Sequence, residues 1–561
     1  MKKQSALSAI LALISAVTLT SCAIIPSEDP SKDPLKDPSK TPAPTIAPGP
    51  LFTPLPTVQE FPYDKKSSYM IYYGELTQSI INEAKQYKVV ILHPKMGNIN
   101  RDQIQQIRKS GTIVLGYIAI GEDLRTAGMT PEQMLADSRF TGDGSGPRVD
   151  PRPKGTTSLD GIDLKGKASP GGSGYASYFL DDNNFDGKPD INPYFNCAFT
   201  NIGDPTWFDA LDQMTIDGND RIPGIREILS DDYGRGLGCD GLFLDTIDTC
   251  APNIYTTEDS TNKTKFEWTA AGVREFTKRL KEKYPDKLIV QNRGIFFYNP
   301  DLPHYQYNPR EYVDYVMFES YQLDSNSTLL FYEGYAADNR YNYMPRLVAE
   351  AERPDGFQVL SLGYAEGPEE YHLKETLLGT SDDGLDILME DMNLAQEEAG
   401  FMHYVTDARI VLANDFVIQH ETKEDVTAPV WSNTYNPSTA WPPDPPTPRV
   451  GIQQVVPINK GIIVRWDIAL DRNHVDYVLY YQTKPFDFKK DPNLENAESI
   501  VLVPEVGEGY ENGVGPKVYP YQATIDGLES KKTYYFLIRA RDRSENQNEE
   551  TNTVTLKCAP K

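Results

Sequence analysis

Gly238-Cys239-Asp240-Gly241-Leu242-Phe243-Leu244-Asp245-Thr246-Ile247-Asp248 is an apolar run that opens on a glycine and closes on carboxylates. Its apolar residues follow one another without alternation, the pattern of a strand buried on both faces in a parallel sheet. Working outward, seven more short runs share that character: Met70–Tyr73, Val89–His93, Ile113–Ile120, Lys287–Asn292, Val313–Ser320, Gln358–Tyr364 and Phe401–Val405, with this one spanning Gly241–Thr246. Helical periodicity falls between most of them, at Thr77–Gln86, Gln103–Lys109, Trp268–Lys283, Met344–Glu352 and Asp386–Glu398. Strand and helix alternating through eight units predict an α/β fold, a (β/α)8 TIM barrel over residues 61–424. A doubly wound open sheet is the alternative, and it lacks the Gly-rich phosphate turn expected after its first strand.

Barrel enzymes place their chemistry where the strands end. Here those ends carry Tyr73, Tyr117 followed by Glu122, Asp245 with Asp248, Asn292, Glu319 with Tyr321, and Tyr364. Capping of strand ends explains any one of these groups but not the whole ring. Breaking a glycosidic bond needs two carboxyl groups, one protonated and one ionised. Asp245 and Glu319 stand two strands apart, so both can enter one cleft. Glu319, beside Phe318 and Tyr321, is the better placed to keep its proton, because apolar neighbours raise a carboxyl pKa. Asp245 then takes the nucleophile or charge-stabilising role. Tyr73, Tyr117, Glu122, Asp248, Asn292, Tyr321 and Tyr364 are expected to bind substrate, Asp248 through a sugar amine or hydroxyl. Asp240 precedes its strand and is expected to be structural.

The motifs Gly238–Asp248 and Val316-Met-Phe-Glu319-Ser-Tyr321 resemble glycoside hydrolase family 114, the endo-α-1,4-polygalactosaminidase-like barrels, over roughly residues 65–420. The resemblance implies cleavage of an α-linked amino-sugar polymer, with the catalytic pair falling on Asp245 and Glu319. This chain departs from the family by a long insertion after strand three, about residues 123–220.

That insertion contains Asp182-Asn-Asn184-Phe-Asp186-Gly187-Lys-Pro-Asp190. Oxygen ligands at alternating positions around a turn glycine predict a structural calcium site at Asp182, Asn184, Asp186 and Asp190. Pro193 stands where an EF-hand would carry its last glutamate, and a solvated Asx-rich turn is the other reading. No cofactor is expected for catalysis. Export permits disulfides. Cys239 and Cys250 flank a whole strand, about 20 Å at 3.3 Å per residue, too far to bridge. Cys197 and Cys250 share the mouth side, so the expected bridge is Cys197–Cys250.

Residues 1–22 read as a lipoprotein signal: Lys2 and Lys3, the apolar run Ala6–Leu19, then Leu19-Thr20-Ser21-Cys22. Such a run is shorter than the roughly 20 residues of a spanning helix, and Cys22 is the expected lipidation site. The Pro-rich stretch 23–60 favours extended polyproline II, a stalk of at most about 90 Å. These features predict an exported protein anchored to the membrane only through Cys22, facing the exterior, or the periplasm of a two-membrane envelope. A formal net charge of −26 argues against nucleic acid, itself a polyanion. The 34 tyrosines suit a sugar-lined cleft, because the ring stacks and the hydroxyl hydrogen-bonds. The expected partner is a polysaccharide, and the protein is expected to be a monomer.

Past a linker at 425–449, residues 450–561 alternate. Ile462–Trp466, Val475–Tyr481 and Tyr534–Ala540 read as strands. With Gly527-Leu528, Thr533-Tyr534 and Ala540-Arg-Asp542 they resemble an all-β fibronectin type III sandwich, in which the Trp fills the core and the Tyr makes a corner. The module is expected to be a spacer, with a weak glycan-binding module as the other reading. The alternative to a glycosidase is a non-catalytic glycan-binding or adhesion lipoprotein on the same barrel.

Overall fold

The computed structural model describes residues 69–95, 99–253, 265–325, 331 and 334–561. The expected signal segment with Cys22 and the Pro-rich stretch lie outside the described residues.

Eight parallel strands form one sheet in sequence order: β1 (Tyr69–Tyr72), β2 (Val89–Leu92), β3 (Ile113–Ala119), β4 (Gly241–Asp245), β5 (Leu288–Asn292), β6 (Tyr315–Glu319), β7 (Gln358–Tyr364) and β8 (Met402–Thr406). Each of the eight matches an apolar run to within two residues at either end. The sheet curls until its edges nearly meet: the Tyr69 ring of β1 lies 5.9 Å from Tyr404 of β8, and Tyr73 N donates to Ile410 O at 2.7 Å. This is the TIM-barrel architecture expected from the alternation. Ala119 stands opposite Asp245 in the β3–β4 register, and Met317 opposite Asn292 in β5–β6. With Leu244 opposite Gln291 in β4–β5, these registers bring the ends of β3, β4, β5 and β6 to one rim.

Helices α1 (Gln78–Ala84) and α2 (Arg101–Arg108) start on side-chain caps, Thr77 for α1 and an Asn100–Gln103 capping box for α2. From α2, Arg108 grips Asp240 with three bonds of 2.6–3.1 Å, and Asp240 also receives Val114 N at 2.9 Å. Asp240 thus fixes the entry to β4, as a structural residue.

The expected insertion divides into two parts. Residues 122–200 fold into short antiparallel pairs, Glu122–Asp123 with Ala198–Phe199 and Arg148–Val149 with Lys167–Ala168. The rest is barrel: α3 (Pro205–Gln213) and α4 (Ile225–Leu229) return the chain to β4. Trp207 of α3 is fully buried and donates from Nε1 to Ile120 O at 2.7 Å, seating this helix at the end of β3.

The C-terminal residues make two four-stranded antiparallel sheets. Ile452–Ile458, Gly461–Trp466, Tyr521–Asp526 and Glu505–Val506 form one; Glu498–Val501, Val475–Gln482, Tyr534–Asp542 and Leu556–Cys558 form the other. Trp466 is buried between Tyr477 and Tyr521, and Tyr534 Oη accepts from Glu529 N at 3.2 Å. Two expectations change here. The stretch 425–449 is no free linker, since Val430–Trp431 pairs with Ala469–Leu470 and Trp431 packs on Tyr477. Nor do the sheets hang free as a spacer: buried Tyr521 donates to Ala349 O at 3.0 Å, and Arg353 of the barrel lies over Tyr510. Large aromatic rings bury on both sides of this junction, which is why the two parts pack together.

Several carboxyls are buried with few donors. Burial pushes Asp182, Asp190 and Asp471 up to about 7, Asp471 being further crowded by Asp425 and Asp542. Burial likewise lifts Glu122 to about 8. In the unfolded chain these groups release their protons near pH 4. Their contribution is therefore full below about pH 4 and is lost as pH rises through 7–8. The melting temperature should fall by several degrees between pH 5 and pH 8.5 in scanning calorimetry. A melting temperature that rises across that window would contradict the assignment.

Candidate active site

β4, β5 and β6 each end on a site residue, and each is followed by a non-glycine residue with positive φ. Thr246 (66°) follows Asp245, Arg293 (55°) follows Asn292, and Ser320 (56°) follows Glu319. This region is sparsely populated, above all for a β-branched residue such as Thr246. Local bonds hold the first turn: Thr246 Oγ1 donates to Asp245 O and accepts from Gly121 N at 2.7 Å. A Cβ on Gly121 would lie 2.3 Å from Thr246 O, so only glycine lets β3 leave past this turn.

Asn292 joins the two carboxyls. Its Nδ2 donates to Asp245 Oδ1 at 2.8 Å and to Glu319 Oε2 at 2.9 Å. The two oxygens on that shared nitrogen therefore stand no more than about 5.7 Å apart, those two bond lengths laid end to end. Asn292 Oδ1 is buried and without a hydrogen-bond partner, an acceptor available to a bound hydroxyl. Tyr117 Oη donates to Asp245 Oδ2 at 2.7 Å, and Tyr364 Oη to Glu319 Oε1 at 2.5 Å.

The carboxyls differ in environment. Asp245 is half-buried at the rim, whereas Glu319 is 4% exposed. Burial first, then the charge of Asp245, raises Glu319 above the ordinary carboxylate range; Arg293 and the bonds from Tyr364 and Asn292 pull the other way. One buried carboxyl with a raised pKa beside a second carboxyl at the rim is an arrangement that glycosidic cleavage uses.

Tyr73 packs edge-on against His93 and Tyr117, and the His93 ring stacks on Tyr117 at 4.1 Å. Burial drives His93 down to about 3, so this ring stays neutral while it supports Tyr117. His93 and Arg293 were not anticipated as site residues. Both stand at strand ends in the sequence, and the signal that could have found them is the polar residue closing the second run and the one following Asn292.

Other expected site residues are placed elsewhere. Tyr321 is 1% exposed and packs on Phe318 and Phe401, outside the strand ring rather than in the mouth. Phe318 and Glu319 are adjacent in one strand and point to opposite faces, and Tyr321 follows Phe318. Asp248 accepts from Arg293 Nε at 2.7 Å and from Gly294 N at 2.9 Å, so it braces the β5 turn. Glu122 is buried, its Oε1 receiving Asn192 Nδ2 from the insertion at 2.6 Å.

The 182–190 loop does not gather its four expected ligands. Asp182 accepts from Asp150 N and Trp268 Nε1, and Asp190 from Asn183 N. Asn184 and Asp186 are exposed and close Asx turns onto Asp186 N and Lys188 N. Asp182 and Asp190 are thus engaged inside the fold, while Asn184 and Asp186 lie open at the surface. Among the described residues, the one group of three carboxylates close enough to share an ion is Asp425, Asp471 and Asp542, outside the barrel.

The expected Cys197–Cys250 bridge is absent: Cys197, Cys239, Cys250 and Cys558 are free thiols. Cys197 Sγ turns to Phe195 O and Cys250 Sγ to Ile247 O, each within its own turn. Burial raises Cys197 and Cys239 to about 12, and Cys250 further still, which leaves little reactive thiolate. Alkylation after unfolding without reductant should label all four; peptide mapping that returned a Cys197–Cys250 link would contradict this arrangement.

Fold and site together define an eight-stranded α/β barrel with a hydrogen-bonded carboxyl pair at the carboxyl ends of its strands. No protein-family model and no curated protein matches the chain. Among solved structures it is similar to the glycoside hydrolase domain of PelA from Pseudomonas aeruginosa, at 16% identity over 61% of this chain and 96% of that one, TM-score 0.32. It is similar to Ega3 of Aspergillus fumigatus in complex with galactosamine, at 12% identity over 64% and 97%, TM-score 0.32. An alpha-amylase of Geobacillus thermoleovorans complexed with acarbose matches at 9% identity over 86% and 99%, again with TM-score 0.32.

Proposed function

We propose that this protein is a surface-anchored glycoside hydrolase cleaving an α-linked amino-sugar exopolysaccharide, with Asp245 as nucleophile and Glu319 as acid and base. The observation that carries the reading is the pair on Asn292, one member at the rim and the other buried with a raised pKa. Two carboxyl oxygens held on one amide nitrogen, no more than about 5.7 Å apart, favour retention of configuration, since inverting enzymes space their carboxyls about 6.5–9.5 Å apart to admit a water. Glu319 gives its proton to the leaving oxygen as Asp245 attacks the anomeric carbon, forming a glycosyl ester. Glu319 then takes a proton from water, whose oxygen displaces Asp245. Tyr117 and Asn292 hold Asp245 in place, and Tyr364 and Asn292 hold Glu319.

The α-linkage and amino sugar come from the family 114 motifs in the sequence. The fibronectin type III-like sheets are read as a rigid buttress of the barrel. Digestion of a panel of purified exopolysaccharides, read by mass spectrometry, tests the activity. New oligosaccharides from an amino-sugar polymer are expected, and an untouched panel would overturn the reading. Anchoring is tested by Cys22→Ser: fatty-acid labelling and membrane association should both be lost, and labelling that persists would refute it.

A further inference from the structure

Arg293 ties together the ends of β4, β5 and β6, the three strands that carry Asp245, Asn292 and Glu319. Its Nε donates to Asp248 Oδ2 at 2.7 Å, three residues past Asp245, and its Nη1 donates to the backbone oxygen of Glu319 at 3.2 Å. Its backbone is held as well: Arg293 N donates to Met317 O at 3.0 Å, and Arg293 O accepts from Gln291 Nε2 at 2.7 Å. Together these bonds fix Arg293 in its left-handed conformation, at φ 55°. Backbone strain of this kind persists only where the surroundings over-determine it, and it gathers at functional sites.

A neutral donor could brace the same turn, so the cation calls for a further reason. Burial works against the charge on Arg293, while the carboxyls of Asp248, Glu319 and Asp324 sustain it; Tyr335 also faces it. In the proposed reaction Glu319 gives a proton in the first step and, as an anion, takes one from water in the second. Burial and Asp245 both favour its protonated form, and Arg293 is the strongest of the groups pulling the other way. The other titratable side chains facing Glu319 are Tyr69 and Tyr73 of β1 and Tyr364 of β7, and burial keeps all three phenols protonated.

We propose that Arg293 is a positioning residue for Glu319: clamped by Asp248, it joins the three strand ends and supplies the cation beside which Glu319 serves first as acid and then as base. The inference rests on the glycosidase reading above.

The test follows kcat/KM against pH on an α-linked amino-sugar polymer for wild type, Arg293→Gln and Arg293→Lys. The alkaline limb of this profile reports the acid of the free enzyme. Without the cation, burial and Asp245 are opposed only by neutral hydrogen bonds, so the Glu319 pKa rises. The first step needs Glu319 protonated, and activity should therefore survive to higher pH. The limb should move up by about one pH unit in Arg293→Gln, the lower end of what a nearby opposite charge commands, and far less in Arg293→Lys, which keeps the charge. The amines of the polymer titrate alike in all three profiles and drop out of the comparison. A residue that only braced the fold would lower kcat/KM and leave the limb in place. That result, or an equal shift in Arg293→Lys, would overturn the proposal while sparing the glycosidase reading. If Arg293→Gln fails to fold, the double variant Arg293→Gln, Asp248→Asn, which leaves no carboxylate unpaired, decides by the direction of the same limb. No cleavage by wild type at any pH would overturn both.

Discussion

Asp245→Asn and Glu319→Gln should each lower kcat by at least about 10³-fold, while melting temperature and affinity for the glycan stay close to wild type. Each change keeps the side chain's shape and removes its ionisation, so the loss falls on the transition state. Glu319→Gln takes away the proton given to the leaving oxygen, and general acid catalysis alone is worth about 10²–10⁴-fold. Asp245→Asn takes away the group that forms the ester. Substrates with good leaving groups separate the two roles: they need little protonation, so they should rescue the first step in Glu319→Gln and leave Asp245→Asn inactive. Near-wild-type turnover in either variant would show that the pair is only lining the mouth.

Asn292→Ala should cost about 10²-fold in kcat, the scale expected when reacting groups slip by an ångström. Among the described residues this amide bonds both carboxyls, through a single nitrogen. Its loss has a direction in pH as well. The bond from Asn292 favours ionised Glu319 and so opposes the rise caused by burial and by Asp245. Without it the Glu319 pKa climbs further. Activity needs Glu319 protonated, so the alkaline limb of kcat should move to higher pH in Asn292→Ala. An alkaline limb that stays in place, or moves down, would deny Asn292 this electrostatic role.

Most of the barrel was legible because strands buried on both faces write themselves as continuous apolar runs, as in Leu242-Phe243-Leu244. The catalytic candidates were legible because chemistry collects where such strands end, which placed Asp245, Asn292, Glu319 and Tyr364 together. What failed depended on neighbours distant in sequence. Tyr321 follows a site residue closely, but the alternation through Phe318 and the turn at Ser320 carry it to Phe401 on the outer layer. Asp248 has the right chemistry for a sugar, yet Arg293, forty-five positions away, had already engaged it. Spacing in the 182–190 loop suggested ligands, but that periodicity cannot reveal that Trp268 reaches in to occupy Asp182. The expected export permits a disulfide without requiring one, and Cys197 Sγ and Cys250 Sγ each turn to a carbonyl in their own turn.

The central claim is that Asp245 and Glu319 cleave a glycosidic bond as a closely spaced pair. Time-resolved proton NMR during digestion of the amino-sugar polymer tests it most directly. New reducing ends should appear first in the anomeric configuration of the bond being cleaved and only later equilibrate by mutarotation. Ends that appear first in the opposite configuration, or no new ends at all, would contradict the account.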